Sequence, residues 1–309
     1  MSRGRARDTY LASAVVLAAA IGWSVFVGQL AVARHNNLQT NAFDLGYVSQ
    51  AIWEDGHGQP FRFTTAQGVS AVLEGIDLTR ISHPHWLLAF HVEPALLLLA
   101  PLYRLWPDPR LLLWLQTVLI AAGALPAAWL ARRLVGSAVA GVAFGLAYQL
   151  AVGLEGAALS DFHMVAIGAA LLMAALWLLE SGHTRWALAC FALTALCRED
   201  AAFAVAWLGV VLWVFKGRSP DIRLLAIGAG LWTLLCFGVI EPFFNGHVNV
   251  FSARYGWLLT AIRQRDLARI VSWPFMPDVR AYLGLELLTG GIVALLAPVE
   301  LLVALPLLA

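Results

Sequence analysis

Charge is scarce in this 309-residue chain: 13% of residues are Asp, Glu, Lys or Arg and 61% are apolar, whereas soluble domains carry roughly 25% charged and 45 to 50% apolar residues. That excludes an ordinary soluble domain and leaves a polytopic helical membrane protein. Cysteine is scarce too. Cys190, Cys197 and Cys236 fall in or at the ends of apolar segments, which argues against a disulfide framework or a cysteine metal cluster and for small packing residues. Lys216 is the single lysine among 20 basic residues. Internal repeats and low-complexity linkers are lacking. The net charge of +1 carries no information on partners by itself, and no nucleic acid partner is expected.

What charge there is falls into two sets. With the N-terminus held inside by Arg3, Arg5 and Arg7, the residues Asp44, His91, Asp161, His163, Glu199, Asp200 and Glu241 all land outside. Arg132, Arg133, Arg185, Lys216, Arg218 and Arg223 land inside. Of the eight histidines, only His183 is inside. A protein of the cytoplasmic (inner) membrane with one acidic, histidine-rich face, directed away from the cytoplasm, is expected to work on that face.

Leu11 to Ala33 is apolar and ends in Ala31-Val32-Ala33, similar to a signal-peptidase site, but its length exceeds a secretory core and suits an uncleaved signal anchor, so residues 1–33 read as the first span. Leu111 to Ala131 and Leu134 to Leu154 are free of charge and long enough to cross. Met164 to Leu179, Leu224 to Ile240 and Ala281 to Val299 are further spans. Trp186 to Cys197 and Ala201 to Phe215 are short and meet at Arg198-Glu199-Asp200, which suggests an outer cavity sunk into the membrane.

Trp86 to Trp106 looks apolar, but Glu93-Pro94 and Pro101 divide it. If it crossed, Arg132-Arg133 and the stretch from Lys216 to Arg223 would lie outside, against the positive-inside bias. Pro94 to Leu105 is therefore expected as a helix at the outer interface, and residues 34–110 as one long outer loop. A second short helix, Leu45 to Glu54, is expected to start at Asp44. Residues 1–309 then form a single transmembrane domain, 111–309 holding the remaining spans. The ending Ala-Leu-Pro-Leu-Leu-Ala suggests a longer protein continuing beyond it.

The string Phe43-Asp-Leu-Gly-Tyr-Val-Ser-Gln-Ala-Ile-Trp53, then His91-Val92-Glu93-Pro94, Asp161-Phe162-His163 and Arg198-Glu199-Asp200-Ala201, resembles the predicted membrane proteins of domain-of-unknown-function family 2079 in order and spacing. The chain departs from that pattern at Val92-Glu93, where the family usually reads Phe-Ser, at Met164 in place of proline and at Arg198 in place of lysine. The family is similar in layout to GT-C glycosyltransferases, which transfer sugars from polyprenyl-phosphate donors. That similarity implies a GT-C-like helical bundle, an essential Asp in the first outer loop, matched by Asp44, and a second acidic residue at the outer end of a later span, matched by Asp161. It constrains function only loosely.

Sugar transfer from a lipid phosphate needs a carboxylate to take the acceptor's proton and a cation to meet the leaving phosphate. Asp44 is the candidate base. Arg198, Glu199, Asp200 and Arg254 are candidates for binding substrate and phosphate, and His91, Asp161 and His163 for a divalent metal such as Mg, Mn or Zn. Each has a plainer reading. Asp44 and Asp161 could be helix N-caps, Arg198 to Asp200 a local ion pair with a cap, and the basic, aromatic loop around Arg254 an interfacial anchor. The alternative to an enzyme is a non-enzymatic transporter or scaffold, but the spans from Leu111 to Leu154 are poor in polar residues at their centres, unlike a permeation path.

Overall fold

A chain in lipid must satisfy its backbone amides within itself, so its apolar, Ala- and Leu-rich stretches become helices. The computed structural model describes residues 3–64, 72–73, 76–77, 86–217, 220–247, 250–272, 276, 280–281 and 284. Among them lie α1 (Arg3–Asn36), α2 (Tyr47–Asp55), α3 (Ala100–Leu105), α4 (Pro109–Ala122), α5 (Ala124–Val135), α6 (Ala138–Gln149) and α7 (Val152–Leu159). They continue with α8 (Met164–Glu180), α9 (Thr184–Ala195), α10 (Glu199–Lys216), α11 (Pro220–Leu235), α12 (Glu241–Phe244), α13 (Val250–Gln264) and α14 (Leu267–Ser272). Two residue pairs in the first loop, Val72–Leu73 and Ile76–Asp77, form a minimal antiparallel ladder. The protein is an all-α membrane protein.

Three helical stretches among the described residues are long and apolar enough to cross a bilayer: Arg7–Asn36, Pro109–Val135 and Pro220–Phe244. The second joins α4 to α5 through Gly123; the third joins α11 to α12 through a π-helical turn at Cys236–Ile240. The expected span from Leu134 to Leu154 is a bent pair, α6 and α7, that can cross only as a broken span, and it begins at Ala138. Ser137 caps α6, its hydroxyl accepting from the Ala140 N–H at 3.3 Å, and extended backbone at Ala151 bends α6 against α7 by 44°. Absence of charge announces an apolar segment but cannot register such a break. The short segments at Trp186 and Ala201 are α9 and α10, and Met164 to Leu179 is α8. Ala281 to Val299 falls, but for residues 281 and 284, outside the described residues.

Consecutive helices pair as hairpins, α5 with α6, α8 with α9 and α10 with α11, while α1 packs on α4. Small residues set how closely they approach. A methyl group placed on Gly145 would come within 3.0 Å of both Val16 Cγ1 and Ala128 Cβ, so α6 meets α1 and α5 nearly backbone to backbone.

The stretch expected as an outer interfacial helix is helical but divided: Pro94–Leu98 is 3-10 helical and α3 follows from Ala100. Leu45, Ile52, Phe63, Leu87 and Leu96 of the first loop bury themselves with Phe162, Met164 and Cys197. This apolar cluster clamps the loop onto the junctions between α7 and α8 and between α9 and α10.

Candidate active site at the acidic end of the bundle

Asp44 sits in a π-helical turn, Ala42–Gly46, between α1 and α2. The expectation that it starts the next helix is corrected: α2 begins at Tyr47, with Gly46 at its cap position and no side-chain cap bond. The Leu45 and Gly46 amides both donate to the Asn41 carbonyl, at 3.1 and 3.4 Å, so the backbone of the turn satisfies itself. Such turns are frequent at functional sites because they re-aim a side chain. The Asp44 carboxylate is 40% exposed, and its Oδ1 lies 3.9 Å from Nε2 of His163.

Asp161 braces this turn. It is buried, and its Oδ2 accepts from the Asn41 N–H at 2.7 Å, across 120 residues of sequence. Nor is it a helix cap, since His163 holds the cap position of α8 with no side-chain cap bond. The His163 N–H donates to Gln116 Oε1 at 2.7 Å, and Gln116 Nε2 donates to the Ala157 carbonyl at 2.8 Å. His163 Nδ1 is 2.7 Å from the Asp161 carbonyl. A carbonyl only accepts, so Nδ1 carries a proton and Nε2 is the nitrogen that faces Asp44.

The second half of the site forms where Glu199 opens α10. Its Oε1 meets His91 Nδ1 at 2.9 Å and its Oε2 accepts from the Val92 N–H at 2.8 Å. Burial works against a charged His91, but the Glu199 carboxylate outweighs it and holds the imidazole above its usual range. The Ala95 N–H donates to the Leu196 carbonyl at 3.0 Å, locking the loop onto the end of α9. Arg198 grips Asp200 through two parallel bonds, Nε to Oδ1 at 2.7 Å and Nη2 to Oδ2. This is the local ion pair; Arg198 holds the cap position of α10 without a side-chain cap bond.

Glu93 lies among these groups, 4% exposed and with no side-chain hydrogen bond among the described residues. Burial pushes its carboxyl up to about 7, against the pull of His91 and Arg198. Tyr47 joins the two halves electrostatically. Burial first, then the Glu93 and Asp44 carboxylates, raise its phenol above the ordinary range.

The family model described as "Predicted membrane protein (DUF2079)" matches residues 34–309 of this chain. The chain belongs to the DUF2079 family. No curated protein and no solved structure matches it.

In this DUF2079 protein the sequence-derived candidates separate into pairs. Asp44 faces His163, which touches Asp161; His91 pairs with Glu199; Arg198 pairs with Asp200. The set His91, Asp161 and His163 does not surround one ion, and no three His, Cys, Asp or Glu side chains among the described residues form a metal-binding group. Arg254 is on α13, and its side chain lies outside what the structure describes. Sequence reasoning missed Asn41, Tyr47, Glu93 and Gln116. Two of these left a signal. Gln116 is the one carboxamide inside its charge-free span, and Glu93 is the acidic departure from the family pattern, taken only as a break before Pro94.

Proposed function

We propose that this DUF2079 protein is a GT-C-like glycosyltransferase that moves a sugar from a polyprenyl-phosphate donor to a hydroxyl acceptor on the extracytoplasmic face. One observation carries the reading: a half-exposed carboxylate, Asp44, stands beside the open Nε2 of His163 on a braced turn directly after a membrane-spanning helix. In the reaction the acceptor oxygen attacks the anomeric carbon, Asp44 takes the hydroxyl proton, and the bond from that carbon to the phosphate oxygen breaks, releasing the lipid phosphate. His163 faces Asp44 across 3.9 Å. The Arg198 guanidinium, steadied by Asp200, supplies positive charge for the leaving phosphate.

The arginines at the opposite end support this orientation, since the positive-inside bias favours them on the cytoplasmic side. The reading is tested by mass spectrometry of lipid-linked and surface glycans in a strain lacking the protein. The expected result is loss of one sugar, restored by the wild-type chain. Unchanged glycans in both fractions overturn it.

A further inference from the structure

The end of the bundle away from Asp44 holds an open cleft of about 730 Å³, formed where the start of α1, the end of α5, the start of α6 and the end of α8 meet. Its walls include Asp8, Trp129, Arg132, Arg133, Ala138 and Trp177. Trp129 and Trp177 pack ring to ring, centroids 4.7 Å apart, and Trp129 Nε1 donates to Ser13 Oγ at 2.9 Å, so one wall is a fixed aromatic surface. Arg132 and Arg133 occupy the last turn of α5, and neither makes a hydrogen bond or an ion pair through its side chain among the described residues. The chain leaves α5 through Gly136 at φ +76°, a left-handed conformation suited to glycine, and turns at once into α6. Two guanidinium groups and the Asp8 carboxylate leave the cleft one positive charge.

Placement in the last turn of a helix explains one favourable location for the arginines. It does not explain a cleft with an aromatic wall. Beside the cleft, Leu134, Val135 and Val139 are exposed by 66, 61 and 77%, which is lipid-facing surface in a membrane protein. Cationic groups set next to exposed apolar side chains at helix ends suit a ligand with a charged head and apolar tails, and tryptophan is at home at that depth.

We propose that this cleft binds the phosphodiester headgroup of an anionic phospholipid at the interface opposite the Asp44 site. The single negative charge of a phosphodiester matches the cleft, with Arg132 and Arg133 meeting its oxygens and the acyl chains lying along Leu134, Val135 and Val139. The site is independent of the proposed glycosyl transfer and stands or falls apart from it.

The test is native mass spectrometry of the full chain released from nanodiscs of mixed phosphatidylcholine and phosphatidylglycerol. Wild type is expected to retain phosphatidylglycerol selectively. Arg132→Gln with Arg133→Gln should lower that retention roughly thirtyfold, at about one charge's worth of attraction per arginine. Because removing both arginines also disturbs membrane orientation, Ala138→Trp fills the cleft with both charges kept and should abolish the selectivity as well. Equal retention of the two lipids by wild type, or full selectivity in Ala138→Trp, overturns the proposal. So does displacement of bound phosphatidylglycerol by inorganic phosphate, which would assign the cleft to a soluble ion.

Discussion

At one end of the bundle Glu199 is 3% exposed and both of its oxygens are engaged, by His91 and by the Val92 amide. At the other, Arg133 is exposed and without an ion pair among the described residues, and Arg223 rests 5.8 Å above the ring of Trp213. The basic end keeps Arg133 in contact with the surroundings. The acidic end withdraws ionisable groups from solvent and must offset the desolvation with directed bonds. Replacing a buried ion pair by apolar packing is often neutral or stabilising, so stability alone does not account for so much buried charge. That asymmetry is the reason for assigning chemistry to the acidic end.

The largest effect expected is all-or-none. Reporter fusions after Arg133 and after Arg218 should report the cytoplasm, and fusions near Asp161 and Asn245 the outside. An outside signal after Arg133 would put the two ends on the wrong sides of the membrane and end the assignment. Next comes Asp44→Asn, which should cut sugar transfer by about 10² to 10⁴ at unchanged protein level, measured as turnover in reconstituted vesicles. Since Asn keeps the shape of the side chain and its acceptor oxygen, the unfolding temperature of the variant should not fall. A variant with normal turnover would remove the base.

Glu199→Ala leaves His91 and the Val92 amide without their partner and should lower stability by about 3 kcal/mol, read from unfolding in detergent. Arg133→Ala, at the exposed end, should change it by no more than about 0.5 kcal/mol. Equal losses would erase the contrast between the ends. The smallest effect is a pH slope. Glu93 rises from 4.5 in the unfolded chain to about 7 when folded, so between those values the folded chain binds more protons than the unfolded one. Stability therefore falls as pH rises across that window and stays low above it. His91, also raised, adds a loss of the same sign as pH passes its folded value. Glu93→Gln should flatten the slope and unfold at a higher temperature than wild type above the window.

Much of the fold was readable from the sequence, because hydropathy and helix length are local properties. The first helix, the α4 to α5 crossing, the short α9 and α10 and the interfacial stretch after Pro94 all stand close to where the residues implied. What could not be read depends on which helix ends abut. The pairing of Glu199 with His91 and not with Arg198, the bracing of the Asp44 turn by Asp161, and the use of Gln116 to hold His163 join residues 47 to 120 positions apart. No local pattern encodes such partners. The π turn at Asp44 was hidden for another reason: a single aspartate before an apolar stretch has the signature of a helix cap, and only the backbone geometry distinguishes the two.

The Val92 amide bonds to a residue 107 positions further along the chain. At about 5 to 20 residues per second, synthesis of that partner lags by roughly 5 to 20 s. During biogenesis the stretch around His91 must therefore wait at the membrane surface, its carboxylate Glu93 still hydrated and ordinary in acidity, until the hairpin of α9 and α10 has been inserted. The docked loop is then a late checkpoint of assembly. A chain whose later helices insert wrongly leaves this stretch undocked and open to proteolysis, and it cannot present a finished site.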